Sequence, residues 1–389
     1  MGRRTLIWLV AAVALVVAFF SGFQLHSRSV SGVADRTPDA QAATIREEVI
    51  EALQQSYYRP LSQEALNART LRGVLLALDD PYTEHLPQSD YEDLLASEEN
   101  SFTGVGLALS QAVRGLAVVA AIPGLPGSRA GIRAGDVITR IDDRRIGGLR
   151  YTRAAELLRG RAGTSVKLLL SRRGRRSFEV TVVRRRLSLP VVLKRTLHVR
   201  GNVYQYLRLP QFVSGAGEAV RELAERTSRK HRAGLILDLR GNVGGLLEEA
   251  VDVVRVFQGD GVVVSTHGLH ERTQVYSAEG HSVRRLPLVV LVDGSTASAA
   301  EVVAGALQRA GRATVVGVRS FGKGTVQAVR RLADGSALKL TVAVLRLAGD
   351  KPVNRRGVRP DVRALDRPRT SVDEAVSAAL RVLVHGHGH

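Results

Sequence analysis

LVVLVDGSTASAAEVVAGALQRAG, residues 288–311, is the stretch that decides the fold. Its first five residues are an apolar, valine-rich run, short enough to be a strand buried on both faces. Asp293, Gly294, Ser295 and Thr296 are turn formers. Residues 299–310 then read as a helix, and Gly311 supplies its C-terminal cap. Upstream the pattern recurs: GLILDL at 234–239 is a strand, RGNVGG at 240–245 a loop, and residues 246–257 a helix. Residues 313–318 form a third strand. Strands alternating with helices predict an α/β core built on a mainly parallel sheet.

Two residues in this region can carry chemistry. Ser298 lies where the buried strand turns into the helix, beside unpaired helix N–H groups and their partial positive charge, which can stabilise an oxyanion. An N-cap role is the other reading, and Ser295, Thr296 and Ser298 all qualify for it. Lys323 lies in FGKGTVQ, residues 321–327, and is one of only six lysines among 56 basic residues. Arginine stays protonated, whereas a buried lysine can lose its proton and act as a base. Gly322 and Gly324 let the backbone turn sharply and approach another segment. A solvated loop lysine is the competing reading. Held away from water near a helix N-terminus, Lys323 has a lowered pKa, and its neutral amine can take the serine proton.

Phosphate and metal chemistry fare worse. GVRSFGK, residues 317–323, matches the first seven positions of a Walker A loop, but Gly324 stands where Ser or Thr should hold Mg²⁺. A Walker loop also opens a helix, whereas residues 325–332 and 337–345 around Asp334-Gly335 read as a β-hairpin. His267 and His270 lack an accompanying carboxylate motif, and His385, His387 and His389 belong to a tail. Neither His-Glu-x-x-His nor Gly-x-Ser-x-Gly occurs. No metal or cofactor is expected.

The chain has 389 residues, 44% of them hydrophobic, enough for two or three domains with their own cores. It has no cysteine, which excludes a disulfide framework and a thiol nucleophile. A net charge of +19 raises the question of nucleic acid, but arginine is spread along the chain and aromatics make up only 4%. Without aromatics interleaved in the basic runs, stacking on single strands is not supported, and nucleic acid is not an expected partner. Arg3 and Arg4 precede an apolar stretch at 6–23, about the length a membrane-spanning helix needs. This predicts a single-pass anchor in the cytoplasmic membrane, with the body on the periplasmic or extracytoplasmic side. A cleaved signal peptide is the competitor, with Ala40-Gln41-Ala42 as its site, but that site lies far beyond the apolar stretch.

Five segments follow: an anchor or signal at 1–26, a tether and helical region at 27–100, a β-rich module at 101–186, the α/β core at 187–370, and a C-terminal helix with a His/Gly tail at 371–389. Ile45, Val49, Ile50 and Leu53 recur at helical spacing, as do Leu71, Val74, Leu75 and Leu78. Nothing in the helical region carries evident chemistry. In the module, Gly104-Val105-Gly106-Leu107 opens a strand, residues 130–138 read as turn then strand, residues 151–158 as a short helix, and 166–170 and 178–183 as closing strands. This order of parts resembles a PDZ domain. The resemblance implies that the Gly104–Leu107 loop presents backbone N–H groups to a peptide's terminal carboxylate, with the peptide added as a strand beside Leu107 to Leu109. Ala154, Leu157 and Leu158 would line its side-chain pocket, favouring apolar terminal residues.

Taken together, the motifs resemble the C-terminal processing, or tail-specific, proteases. LDDPYT at 78–83, the PDZ-like module, DLRGNVGG at 238–245, the Ser298-Ala299 pair, FGKGTVQ and GVRPD at 357–361 occur in the family's order. The resemblance implies a ClpP/crotonase-like protease core in which Ser298 is the nucleophile, Lys323 the general base and Gln327 the residue that positions the lysine. It also implies an oxyanion hole from the backbone N–H groups of Gly244 and Ala299, and protein substrates with accessible C-termini. A homo-oligomer or an adaptor partner is compatible with it. The chain departs from the family pattern at Ala300, usually Ser, at Val243, usually Pro, and at 345–348, where an aromatic-Thr-Pro run is usual. Two rivals remain: an inactive PDZ scaffold or adaptor, and an acyl-CoA enzyme on a crotonase-like core.

Overall fold

The computed structural model describes residues 39–98, 101–149, 151–188, 190–280, 282–283, 285–365 and 373–385. The apolar stretch at 6–23, most of the tether and the end of the His/Gly tail lie outside these residues. Among the described residues no helix is long and apolar enough to cross a membrane.

The chain divides into two compact units. One covers residues 100–190, and the other joins the N-terminal helical region to residues 191–389. At the centre of the larger unit is a six-stranded sheet. Its order is Leu193–Val199, Asn202–Arg208, Gly234–Asp238, Leu288–Val292, Thr314–Gly317 and Val362–Arg363. The first pair is an antiparallel hairpin, and every later pairing is parallel. All five residues of Gly234–Asp238 and of Leu288–Val292 are buried, which explains their unbroken apolar runs. Alternation along each strand separates two cores. Leu235, Leu237, Val290 and Val315 face the helices Ala216–Arg229, Leu247–Phe257 and Ala299–Arg309. Ile236, Val289, Leu291 and Val316 pack on the other side against Ala375, Ala379 and Leu383 of the C-terminal helix Glu374–His385.

The helical region is not a separate domain. Helices Asp39–Ser56 and Leu71–Ala77, with Tyr57 just past the first, bury Val49, Leu53, Tyr57 and Val74 against Leu338 and Leu340 of the long strand Ala337–Leu347. A three-residue strand, Glu84–Leu86, also pairs with Ala337–Lys339. The long strand further pairs with Thr325–Arg331, so the hairpin read from Asp334-Gly335 is present.

The smaller unit is built on a six-stranded sheet whose main path runs Leu107–Ala112, Gly115–Ala121, Val137–Ile141, Ser165–Arg172 and Arg175–Val183, with Arg144–Arg145 paired to the third strand. Leu107–Ala112 is an edge strand. The short helix spans Tyr151–Glu156, so Leu157 and Leu158 follow it rather than lying on it. A further short helix, Pro126–Arg129, had no counterpart in the sequence reading; Pro126 sits at its start, where no N–H is needed.

Candidate active site

Ser298 caps the helix Ala299–Arg309 with φ 56° and ψ −122°. A non-glycine residue there carries a strain of roughly 1–3 kcal/mol, which persists only where the surroundings over-determine it. They do so here. The Asp293 carboxylate accepts from the N–H groups of Gly241 (3.0 Å), Ser295 (3.0 Å) and Thr296 (2.9 Å). Buried Thr296 donates its hydroxyl to the Leu239 carbonyl at 3.0 Å, and Ala297 N–H donates to the Asn242 carbonyl at 2.9 Å. The two strand-to-helix loops, 239–245 and 293–298, are thereby stitched edge to edge. Ser298 thus stands on a strained strand-to-helix turn, the backbone setting of a nucleophile elbow.

Gly244 lies directly against this turn. A Cβ built there would come 2.8 Å from Ser298 Cβ and 3.3 Å from Ala299 N, so only glycine fits. Ala299 N–H, at the first helical position, has no intrahelical acceptor. Gly244 N–H differs from the expectation: it donates to Asn242 Oδ1 at 2.8 Å, while the Gly244 carbonyl accepts from Phe212 N–H at 2.9 Å. Asn242 is fully buried and its amide nitrogen donates to the Leu209 carbonyl at 2.9 Å, which orients the side chain.

Glu301 joins the Ser298 turn to the Lys323 loop. Its carboxylate is fully buried. Oε2 accepts from Ser298 N–H (2.9 Å) and Lys323 N–H (2.8 Å), and Oε1 from Gly322 N–H (2.7 Å) and the Ser320 hydroxyl (2.5 Å). Burial raises its pKa, and the four donors oppose that shift. The sequence held a signal for this residue, since Ser298-x-x-Glu301 spells a capping box. What the spacing could not show is the carboxylate's reach to residues 320–323.

Lys323 is held by that loop with its amine pushed down to about 8. Burial is the main cause and the Lys339 charge adds to it, while Glu84, Asp80 and Glu301 pull the other way. Among the described residues no hydrogen bond joins its Nζ to Ser298 Oγ or to Gln327. Instead, Gln327 Nε2 donates to Thr325 Oγ1 at 2.8 Å and to Thr341 Oγ1 at 3.5 Å. A bulge between Val326 and Gln327 bends the strand there, the curvature that a Lys323-to-Gln327 approach requires. The Lys323 ammonium sits 4.8 Å from the centroid of the Tyr82 ring. The helical region therefore does contribute to the site, contrary to the sequence expectation. Tyr82 belongs to LDDPYT, a motif the family resemblance singled out without giving it a role, and no spacing rule links it to Lys323.

The Walker A reading fails on geometry as well as sequence. No helix follows residue 323; a strand does, and a Cβ on Gly324 would lie 2.2 Å from Asn354 N. His267 is engaged within its hairpin, with Nε2 2.9 Å from Ser265 Oγ. In the module, Val105, Leu109, Ala154 and Leu158 are buried in its core, whereas Leu107 and Leu157 are partly exposed against it. Gly106 has φ +72° and its carbonyl accepts from Ile122 N–H at 3.1 Å. Gly104 pairs with Arg185 in a two-stranded ladder at the module's entrance.

Comparison with known proteins assigns both units. The model of peptidase family S41 matches residues 204–364, and a PDZ domain model matches residues 118–172. The class is thus a serine-type peptidase that carries a PDZ domain. The chain is 31% identical over 359 residues to a carboxy-terminal-processing protease of Bartonella bacilliformis, covering 89% of this chain and 82% of that protein. It is 28% identical over 360 residues to the carboxy-terminal processing protease CtpA of Bacillus subtilis, covering 92% and 77%. Among solved structures, the photosystem II D1 C-terminal processing protease is similar at TM-score 0.56 and 30% identity, covering 90% of this chain and 98% of that one. The chain belongs to peptidase family S41, among relatives that are carboxyl-terminal processing proteases. An inactive scaffold is not favoured, and a peptidase with a PDZ domain acts on protein substrates.

Proposed function

We propose that this protein captures the C-terminus of a protein substrate in its PDZ domain and cleaves the polypeptide with Ser298 as nucleophile and Lys323 as general base. The observation that carries this reading is the buried Glu301 carboxylate, which accepts from the backbone N–H groups of both Ser298 and Lys323. The neutral Lys323 amine takes the Ser298 hydroxyl proton as Oγ attacks the scissile carbonyl. The tetrahedral oxyanion is received by Ala299 N–H, joined by Gly244 N–H once that group turns from Asn242 Oδ1. Lys323 then returns the proton to the leaving amine. In deacylation the neutral Lys323 amine takes a proton from water as its oxygen attacks the acyl ester, and returns that proton to Ser298 Oγ as the ester bond breaks. Gln327, its amide nitrogen engaged by Thr325, offers Oε1 as an acceptor that steers the Lys323 ammonium.

For the PDZ domain, the edge position of Leu107–Ala112 supports addition of the substrate tail as a strand, with the Gly104–Leu107 loop over its carboxylate. Leu107 and Leu157, the partly exposed pair, would meet an apolar terminal side chain. Residues 6–23 would anchor the chain in the cytoplasmic membrane with the peptidase outside, and self-association or an adaptor would regulate delivery. The test is cleavage of an unstructured protein with an apolar C-terminus by wild type, Ser298→Ala and Lys323→Ala. Both variants should be inactive while remaining folded. Full activity in either overturns the mechanism, and unchanged cleavage of a C-terminally amidated substrate overturns carboxylate capture.

A further inference from the structure

Tyr82 has no part in the mechanism above, yet its half-buried ring lies against the amine that does the work, with Lys323 Nζ 4.8 Å from the centroid. An aromatic face attracts an ammonium through its quadrupole and gives a neutral amine no comparable stabilisation. The turn that carries the ring is fixed by hydrogen bonds. Tyr82 N–H donates to Asp80 Oδ1 at 3.0 Å, and the next residue, buried Thr83, donates its hydroxyl to Asp80 Oδ2 at 2.7 Å. Thr83 Oγ1 also accepts from the N–H of fully buried Thr341 at 3.1 Å, which fastens the turn to the long strand. Tyr57 adds a third tie, its hydroxyl donating to Asp80 Oδ2 at 3.3 Å.

We infer that Tyr82 is a positioning residue for the peptidase reaction: its ring face orients the Lys323 side chain and stabilises the positive charge that forms there when the Ser298 proton arrives. This rests on the reading of Lys323 as the base. The other charges facing Lys323 are Lys339 from the long strand, Glu84 ion-paired to it at 3.0 Å, Asp80 of the turn and Glu301 of the helix. Arg355 faces the Tyr82 ring from the loop beyond. None of these distinguishes an aromatic ring from an aliphatic side chain at 82. Substitution at that position therefore isolates the ring's contribution.

Two effects of opposite sense follow from removing the ring. The protonated lysine loses a stabilising partner, so the acidic limb of kcat/KM moves to lower pH, by about half a unit to one unit. The amine is then a weaker base, so the plateau above the limb falls. The experiment is the pH profile of kcat/KM on an unstructured substrate for wild type, Tyr82→Phe, Tyr82→Leu and Tyr82→Met. Phe should leave limb and plateau in place, while Leu and Met should lower both. A structural role alone would depress activity at every pH without moving the limb, and that result overturns the inference. Should Leu and Met fail to fold, phenylalanines of increasing fluorination at 82 keep the shape and drain the ring face. The limb must then descend stepwise, and a fixed limb is refuting. Inactive Lys323→Ala with an unmoved limb in the Tyr82 variants sinks the Tyr82 role alone, whereas active Lys323→Ala sinks the base as well.

Discussion

Glu301→Gln is the most demanding single test of how the site is assembled. The carboxylate accepts four hydrogen bonds: the N–H groups of Ser298 and Lys323 on Oε2, and Gly322 N–H with the Ser320 hydroxyl on Oε1. An amide is nearly the same size but replaces one acceptor with an NH₂ group. Placed at Oε2, that group opposes two backbone N–H donors. Placed at Oε1, it can donate to Ser320, whose oxygen already accepts from Val358 N–H at 2.6 Å, but it still opposes Gly322 N–H. One or two buried donors are left unpaired in either case, at about 1–3 kcal/mol each. Relief from burying a charge offsets part of this, so a net destabilisation of about 1–3 kcal/mol is expected. Activity should fall further than stability, because the lost bonds are those that hold the Ser298 turn to the Lys323 loop. The pH limb should nonetheless move down, since the Glu301 charge pulls the Lys323 pKa up. Urea denaturation gives the first quantity and a pH profile of peptide cleavage the others. A Glu301→Gln protein with wild-type turnover would refute the idea that this carboxylate aligns the two loops.

In the wild type, kcat/KM should rise with pH through an apparent pKa near the value of about 8 assigned to Lys323, because only the neutral amine can accept the proton; a limb at pH 6 would point to a different base. Gly324→Ala should abolish most cleavage, since its Cβ would lie 2.2 Å from Asn354 N and 2.7 Å from Asn354 Cα, forcing the Lys323 loop to shift. A crystal structure of that variant with the loop unmoved would contradict this. Asp373→Ala removes the acceptor for Val376 N–H at the start of the C-terminal helix and the partner of Arg240 at 2.9 Å. The cap contributes about 1 kcal/mol and the partly exposed ion pair adds less than a buried one, so an unfolding free energy lower by about 1–2 kcal/mol in urea denaturation is expected. Burial raises the Asp373 pKa, but the Arg240 hydrogen bond and charge outweigh it and hold the carboxyl below its ordinary value. That stabilisation is present at neutral pH and fades as pH falls through the folded value. The gap between wild type and Asp373→Ala should therefore narrow in acid.

The parallel sheet was legible because its strands are buried on both faces and so appear as unbroken apolar runs, such as Leu288–Val292, followed directly by turn formers. Ser298 and Lys323 were legible as candidates because each stands on a turn whose neighbours are small. The strain at Ser298 was not, since the φ of 56° is imposed by hydrogen bonds from a loop some fifty residues upstream. The N-terminal region looked independent because its link to the sheet, Glu84–Leu86, is only three residues long and has no alternation to detect. In the PDZ domain, order of parts was readable but pocket lining was not. Ala154 and Leu158 have the same apolar character whether they face a ligand or the core, and here they face the core.

The residues missed by sequence reasoning explain the one property that sequence could not supply, the protonation state of Lys323. A lysine surrounded only by apolar groups would be a neutral but feeble base, and one paired with a carboxylate would be permanently charged. Here burial and Lys339 push the amine down while Glu301, Asp80 and Glu84 hold it up, with the outcome at about 8. At pH 7 that leaves about one molecule in ten with a neutral amine. A polypeptide lying over the site would expel water and disfavour the ammonium further, raising that fraction only when substrate is present. Under the proposed mechanism, resting protection and catalytic competence then follow from the same balance. Its two sides are contributed by segments as distant in sequence as the turn at residues 80–84 and the strand at 337–347.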